Sequence, residues 1–254
     1  MVTIPQNETA RHTAVPRKSA PSLRLAPLLA PAALNNPELA WWQQVRPEDR
    51  WFTGRSYRLI KRAFDLTLIA FALPFLLPLF LLCALMIKVE SPGGPVLFRQ
   101  MRTGMDGSRF LMFKFRTMVP NAEELKATLG HLNELEWPDF KITHDPRITR
   151  TGKFLRRTSL DELPQLWNVI IGDMSLVGPR PTSFAPDTYE LWQTQRLDVQ
   201  PGVTGLWQII GRGLMEFDER VQLDIAYAER RCFWLDMQIL VRTVTAVLHQ
   251  KGAH

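Results

Sequence analysis

One uncharged segment, Leu66–Ile87, constrains the fold of this chain more than any other feature. As a helix of about 22 residues, it is long enough to cross the apolar core of a bilayer. Pro74 and Pro78 lie in its middle, and each removes a helical hydrogen bond and favours a kink. Both flanks are basic, whereas a spanning helix carries its positive residues mainly on the cytoplasmic side. The pattern favours a bent helix that enters and leaves by one face, with a kinked spanning helix as the alternative.

This segment divides the chain into three parts. Residues 1–55 form a polar tail that we expect to be disordered or loosely ordered. Residues 56–90 contain the membrane helix, which we predict to be re-entrant. Residues 91–250 form a polar globular domain, which we expect to carry the chemistry. Trp41 and Trp42, near the end of the tail, suit either local packing or contact with a membrane interface.

Hydrophobic periodicity predicts the elements of the globular domain. Apolar and basic residues alternate in Phe113–Arg116, which indicates a short strand or turn, as does the run before Gly104. Four helical patterns follow, at residues 121–136, 159–171, 215–231 and 233–248. The last is strongly apolar, so it is either a core helix or a helix that lies in the membrane interface.

Charge and cysteine content limit the classes of function. The net charge of +6 and the isoelectric point near 9.6 suit a partner that carries phosphate. Two cysteines without a CxxC spacing indicate neither a disulfide framework nor a zinc site. Nucleic acid is disfavoured as a partner because the cations are scattered among turns instead of massed on one helix. A membrane-anchored scaffold that binds anionic lipid or partner proteins is an alternative to an enzyme.

The sharpest local feature is the acidic pair Asp161-Glu162, which follows Arg156-Arg157. Adjacent carboxylates beside cations suit phosphoryl chemistry at a metal ion, and Asp161 could attack phosphorus or bind Mg²⁺. The structural alternative is a capping box, since Ser159 and Glu162 have the spacing of one and acidic residues favour a first helical turn.

Several cations in turn-rich segments are candidate phosphate ligands. Arginine pairs bidentately with phosphate oxygens, and glycine leaves backbone N–H groups accessible. The candidates are Lys114, Arg116, Arg156, Arg157, Arg180 and Arg212. Gln208 lies with Arg212 in a loop rich in glycine and proline, where ligand contacts often reside. Taken singly, each could equally be a surface residue of a basic protein.

The order and spacing of these motifs resemble the bacterial sugar transferase family, the monotopic polyprenyl-phosphate phosphoglycosyl transferases. The resemblance covers about residues 57–248. It rests on the motifs Lys61-Arg62-Ala63-Phe64-Asp65, Pro92-Gly93-Gly94-Pro95, Phe113-Lys114-Phe115-Arg116, Ser159-Leu160-Asp161-Glu162-Leu163-Pro164, Val177-Gly178-Pro179-Arg180-Pro181 and Pro201-Gly202-Val203-Thr204-Gly205-Leu206-Trp207-Gln208. Two departures concern the helix break, where Leu77 replaces a common serine before Pro78 and Pro74 is an additional proline.

The resemblance implies a mostly helical α/β domain on the cytoplasmic face of the bacterial inner membrane, with a re-entrant helix and interfacial helices. It implies transfer of a hexose 1-phosphate from a UDP-sugar to undecaprenyl phosphate, with release of UMP, at the start of polysaccharide assembly. Downstream glycosyltransferases and a second copy of the chain are candidate partners. Since a polar tail precedes the membrane helix, we expect the topology of the short family members.

The resemblance also implies the roles of individual residues. Asp161 would form a covalent sugar-phosphate intermediate, with Glu162 as its catalytic partner and Mg²⁺ bound at Asp161. Arg157 and Arg180 would hold phosphate. The remaining candidates are Lys114 and Arg116 for phosphate and Gln208 and Arg212 for the nucleotide sugar.

Overall fold

The computed structural model describes residues 41–46, 52–134, 142–210 and 215–248. Most of the predicted tail and the candidate ligand Arg212 lie outside these ranges. Trp41–Gln44 forms a 3₁₀ turn in the part of the tail that is described. Trp42 is buried in the main core, and the Arg230 guanidinium lies 5.2 Å from the centroid of its ring. Trp42 therefore serves local packing.

The apolar segment lies within one long helix, α1, Gly54–Glu90, which runs through Pro74 and Pro78. Within the described ranges it is the one helix long and apolar enough to cross a membrane. Large exposed apolar side chains crowd its middle, namely Phe71, Leu73, Phe75, Leu77, Leu81 and Leu82. An exposed apolar stretch of this size needs a non-aqueous environment to cover it.

The N-terminal half of α1 is joined to the globular domain by buried polar contacts. Asp236, near the start of the last helix, accepts hydrogen bonds from Tyr57 at 2.7 Å and Lys61 at 2.8 Å. Asp65 accepts a hydrogen bond from Ser175 Oγ at 2.6 Å. Both carboxylates are almost completely buried, so their partners offset the desolvation of the charge. These contacts fix the helix on the domain.

The C-terminal half of α1 packs on the same domain through apolar contacts. Cys83 belongs to a buried cluster that includes Phe115 and Leu155. Glu90, the last residue of the helix, accepts hydrogen bonds of 2.8 and 2.9 Å from the first two backbone N–H groups of α3 (Arg150–Arg157). Both halves of α1 therefore contact one domain.

The globular domain begins with an antiparallel hairpin of β1 (Leu97–Thr103) and β2 (Arg109–Phe115). This confirms the strands that the alternating pattern indicated. The charged helix expected at residues 121–136 is shorter, since α2 covers Ala122–Thr128 and a 3₁₀ turn follows at Gly130–Leu132.

The single helix expected at residues 159–171 is divided. The 3₁₀ turn Leu160–Glu162 comes first, and α4 spans Gln165–Ile171. Ser159 adopts a left-handed conformation with φ of 58°, which separates the turn from α3. Pro164 lacks a backbone N–H and precedes α4, where its fixed φ suits the start of a helix.

The two turn-rich motifs form a small parallel sheet of β3 (Ser175–Val177) and β4 (Gly202–Thr204). A Cβ atom built on Gly202 would overlap the backbone of Gly178. The close approach of these two segments therefore requires glycine at both positions, and it holds the loop after β3 in a defined place.

Three helices complete the fold, α5 (Leu206–Ile210), α6 (Phe217–Arg230) and α7 (Phe233–Leu248). The predicted helical patterns at α6 and α7 are confirmed. One face of α7 is in the core, where Leu235 and Ile239 are fully buried. Its other face exposes apolar side chains, Trp234, Val241 and Val244. The described part of the chain is mostly helical with two small sheets, as expected of this fold class.

Candidate active site

Asp161 and Glu162 lie together in the 3₁₀ turn between α3 and α4. Ser159 forms no side-chain capping hydrogen bond there. The capping-box interpretation of this motif is therefore wrong, because the left-handed backbone at Ser159 turns the chain instead of starting an α-helix. The acidic pair needs another explanation.

Two cations from different elements hold Glu162. Lys114 of β2 donates to Oε1 at 3.0 Å. Arg180, in the loop after β3, donates to both carboxylate oxygens, one of them at 3.3 Å. Burial would raise the pKa of Glu162, but the charges of Arg180 and Lys114 outweigh it and lower that pKa below its usual range. Glu162 is thus ionised, and both oxygens already accept hydrogen bonds.

Asp161 differs from its neighbour in having no hydrogen bond or ion pair with any residue that the structure describes. Burial raises the pKa of this carboxyl above its usual range, with the nearby positive charges of Lys114 and Arg156 acting in the opposite direction. Its oxygens are not sealed from the cleft. Asp161 is therefore a carboxylate without a partner beside a carboxylate that is fixed.

Both acidic residues line a cleft of about 1680 Å³. Part of its wall is polar and basic, formed by Gln100, Arg102, Lys114, Arg156, Arg180 and Gln208. Another part is apolar and includes residues of α1 and α7, namely Leu76, Val244 and Val247. A ligand with an anionic group and an apolar chain would meet matching surfaces here.

The structure brings together most of the residues predicted to bind substrate. Lys114, Arg116, Arg180 and Gln208 line the cleft, whereas Arg157 is exposed and does not. Arg156, the other candidate on α3, does line the cleft, and its Nε donates to Thr117 Oγ1 at 2.9 Å.

Arg116 has a structural contact as well as a place on the cleft wall. Its side chain is 7% exposed, and Nη2 donates to the Ser91 carbonyl at 2.8 Å. A Cβ atom built on Gly94 would overlap the Arg116 guanidinium. Gly94, in the loop between α1 and β1, therefore leaves space for the Arg116 guanidinium. The hydrogen bond from Arg116 to Ser91 in turn fixes the start of this loop.

Sequence reasoning missed Arg102. This residue lies in the cleft, and burial together with repulsion from Arg180 lowers its pKa to about 10. In the hairpin register, Gln100 and Arg102 lie on the same face as Lys114. Strand alternation from Lys114 was the signal that could have identified it.

A magnesium ion is compatible with the residues present. In the described ranges, no group of three or more His, Cys, Asp and Glu side chains could hold a metal ion by itself. Magnesium is commonly bound through one or two carboxylates together with substrate phosphates. Asp161 fits that role, whereas the oxygens of Glu162 already accept hydrogen bonds from cations.

The fold, the acidic pair and the motif order define the class of protein, and comparison with known proteins agrees. The chain belongs to the bacterial sugar transferase family, whose model matches residues 56–250. The family resemblance that the motifs indicated is thereby confirmed.

Particular relatives come from several bacteria. The chain is 44% identical over 207 residues to the undecaprenyl-phosphate galactose phosphotransferase of Salmonella typhimurium, covering 79% of this chain and 43% of that protein. It is 43% identical over 209 residues to the UDP-glucose:undecaprenyl-phosphate glucose-1-phosphate transferase of Xanthomonas campestris, covering 78% and 41%. It is 38% identical over 203 residues to the exopolysaccharide production protein ExoY of Rhizobium meliloti, covering 77% and 88%. The chain thus spans less than half of the first two proteins and most of the third.

Proposed function

We propose that this protein transfers a hexose 1-phosphate from a UDP-sugar to undecaprenyl phosphate, which starts the assembly of a polysaccharide. The observation that carries the proposal is the contrast between Asp161 and Glu162. One carboxylate has no partner and the other is held by two cations, in a cleft with both basic and apolar walls. The names of the Salmonella and Xanthomonas relatives, which include these substrates, support the substrate class.

In the first half-reaction, a carboxylate oxygen of Asp161 attacks the phosphorus that carries the sugar. An oxygen–phosphorus bond forms to Asp161, and the bond from this phosphorus to the bridging oxygen of the diphosphate breaks. UMP leaves with the electron pair of that bond. Arg102 and Arg180 lie in the cleft where they would stabilise the negative charge of the phosphates.

In the second half-reaction, a phosphate oxygen of undecaprenyl phosphate attacks the same phosphorus. The bond to Asp161 breaks, which restores the carboxylate and leaves the sugar on a lipid diphosphate. Glu162 positions Lys114 and Arg180 through its ion pairs. It acts as a positioning residue in this scheme, because its lowered pKa keeps it ionised.

Magnesium would be held by Asp161 together with phosphate oxygens of the donor. When bound, the ion would neutralise part of the diphosphate charge that otherwise repels the two carboxylates. Lys114, Arg156 and Arg180 supply the rest of the positive charge around Asp161.

The contacts of α1 support a re-entrant membrane helix. Ile69 and Cys83 are both buried against the globular domain. The residues between them, 70–82, extend about 20 Å as a helix at roughly 1.5 Å per residue. A bilayer core is about 30 Å thick, so a spanning helix could not keep both contacts with one domain. The basic residues at both ends, Arg58 and Lys88 among them, favour the cytoplasmic face for that domain.

With α1 placed in this way, undecaprenyl phosphate reaches the cleft while its prenyl chain stays in the membrane. Leu76 of α1 and Val244 and Val247 of α7 form part of the cleft wall. The exposed side chains Trp234 and Val241 continue the apolar face of α7, as expected for a helix in the interface. The prenyl chain of the acceptor would lie along these residues, with its phosphate near Asp161. The lipid-linked sugar would then be the substrate of downstream glycosyltransferases. That two copies of this chain form a homodimer stays a prediction.

The decisive experiment measures the intact mass of the purified protein after incubation with UDP-galactose or UDP-glucose and Mg²⁺, without lipid. The wild-type protein should gain one hexose phosphate and release one equivalent of UMP, and undecaprenyl phosphate should then remove the adduct. Asp161→Asn should gain nothing. The control is Glu123→Gln, which changes an exposed carboxylate at the rim of the same cleft. An adduct on Asp161→Asn would place the nucleophile elsewhere, and no UMP from wild type would favour the scaffold.

A further inference from the structure

A second cavity, of about 290 Å³, lies beside the catalytic cleft. The two share Arg102, Arg180 and Trp207 in their walls. Small-molecule pockets commonly have volumes of roughly 300–1,000 Å³, so this cavity suits one part of a nucleotide sugar and not the whole. Because Arg180 also contacts Glu162, whatever occupies the second cavity lies close to the reacting phosphate.

The charges that line this cavity favour an anion. Its five cationic side chains are Arg102, Lys126, Arg180, Arg196 and Arg220. Its single carboxylate, Asp224, is ion-paired with Arg196, whose Nε donates to Oδ2 at 3.1 Å. Arg180 also pairs with Glu162 and Lys126 with Glu123, so five cations meet three carboxylates. This excess of positive charge suits a phosphate group, whereas a neutral hexose would not require it.

Arg102 and Asp224, two residues in the wall of this cavity, each have a buried polar atom without a hydrogen-bond partner among the described residues. Both hydrogen bonds from Arg196 reach Oδ2 of Asp224, and Oδ1 is left as a buried acceptor. Asp224 is only 1% exposed, and Nε of Arg102 is likewise a buried donor without a partner. Buried polar groups are usually hydrogen-bonded, so these atoms point to a ligand that supplies both a donor and an acceptor.

Arg220 lies beside two aromatic rings in the wall of the cavity. Its guanidinium lies 5.4 Å from the centroid of the Trp207 ring and 5.7 Å from that of the Phe217 ring. Flat heterocyclic bases stack on arginine and aromatic planes, so these side chains suit a base. The cavity thus combines a stacking surface, a buried acceptor and an excess of positive charge.

We propose that the second cavity binds the UMP half of the donor. This assignment rests on the proposed function, which supplies UMP as the leaving group. The base would lie against Arg220 and Trp207, with a ring N–H or ribose O–H group donating to Asp224. The phosphate of UMP would lie beside Arg102 and Arg180, at the boundary between the two cavities. The sugar-bound phosphorus then faces Asp161 on the cleft side, and UMP departs into the second cavity.

The test compares two arginines of α6 that each lie over aromatic rings. Arg220→Met removes the charge at the second cavity, and Arg230→Met removes it from the Trp42 ring in the core. We would measure dissociation constants for UMP and for galactose 1-phosphate by calorimetry, with the full chain in detergent micelles. Arg220→Met should weaken UMP about tenfold and leave galactose 1-phosphate unchanged. Arg230→Met should change neither beyond about twofold, the size of a surface effect.

A second variant, Asp224→Asn, keeps the shape of the side chain but replaces one carboxylate oxygen with an amide donor, and it should also weaken UMP. Unchanged UMP affinity in both variants, or no UMP binding by wild type, would refute the assignment. If Arg220→Met weakens galactose 1-phosphate and not UMP, the cavity holds the sugar instead. Failure of the proposed function would give a different result, because the wild-type protein would then bind UMP but form neither the covalent adduct nor lipid-linked sugar.

Discussion

Replacement of each carboxylate of the acidic pair by its amide should affect stability in opposite directions. Glu162→Gln loses the charge that pairs with Lys114 and Arg180, whose side chains are 18% and 30% exposed. A hydrogen bond to a charged group contributes about 1.5–3 kcal/mol, and the Gln oxygen keeps part of one such bond. The expected loss is therefore about 2–3 kcal/mol, or roughly 4–12 °C in Tm for a chain of this size. Asp161→Asn breaks no bond and should leave Tm unchanged or higher.

The two effects also depend on pH with opposite signs. The pKa of Glu162 is lowered in the folded state, so its stabilising effect is present above the ordinary glutamate pKa and is lost as pH falls. The difference between wild type and Glu162→Gln should shrink in acid. The pKa of Asp161 is raised, so the fold favours its protonated form and loses that contribution as pH rises through the raised pKa. Any gain from Asp161→Asn should therefore appear at neutral pH and fade in acid.

Thermal unfolding followed by tryptophan fluorescence, in the same detergent at pH 7.5 and at several lower values, measures both effects. The adjacent amide substitutions serve as controls for each other, since they have similar size and lie in the same turn. A fall in Tm for Asp161→Asn as large as that for Glu162→Gln would refute the reasoning. It would mean that Asp161 has a partner in the folded protein and is not the available carboxylate.

Three further predictions concern topology, metal and packing. Cysteines introduced at Arg55 and Pro92 should both resist a membrane-impermeant thiol reagent applied from the periplasm. Replacing both Pro74 and Pro78 with Ala should make one of these two cysteines reactive. Labelling of only one of the two cysteines in the protein that keeps both prolines would show a spanning helix. Transfer of sugar phosphate should stop in EDTA and return with Mg²⁺, and full turnover in EDTA would exclude a metal requirement. Gly94→Ala should destabilise the protein by about 1 kcal/mol, because its Cβ would displace the end of the Arg116 side chain and break the hydrogen bond from Nη2 to the Ser91 carbonyl. Gly93→Ala, whose Cβ meets nothing, should have a smaller effect in the same unfolding assay.

The elements that depend on local pattern could be predicted from the sequence. The hairpin followed from the alternation around Phe113, and α6 and α7 followed from helical periodicity. The interruption at Ser159 could not be predicted in this way, because Ser159-x-x-Glu162 has the spacing of a capping box. A left-handed serine is uncommon, and the packing of the turn against β2 selects it here.

At the site, the residue types could be predicted but their partners could not. Lys114 and Arg180 are 48 and 18 positions from Glu162, and their convergence depends on how β2 and the loop after β3 pack around the turn. The choice between Arg156 and Arg157 depends on the rotation of α3 about its axis. Adjacent helical residues point about 100° apart, so only one of them faces the cleft, and the short polar sequence of α3 does not indicate which.

The contact between Asp65 and Ser175 has a consequence for how the protein is made. These residues are 110 positions apart, and the ribosome adds roughly 5–20 residues per second. Asp65 is therefore added to the chain roughly 5–20 s before the serine whose hydroxyl pairs with it. During that interval the carboxylate of Asp65 lacks this partner, and the serine can join it only when the rest of the domain condenses onto the helix. The helix is thus made before the domain that encloses it, and that domain can close around Asp65 only after β3 has been made.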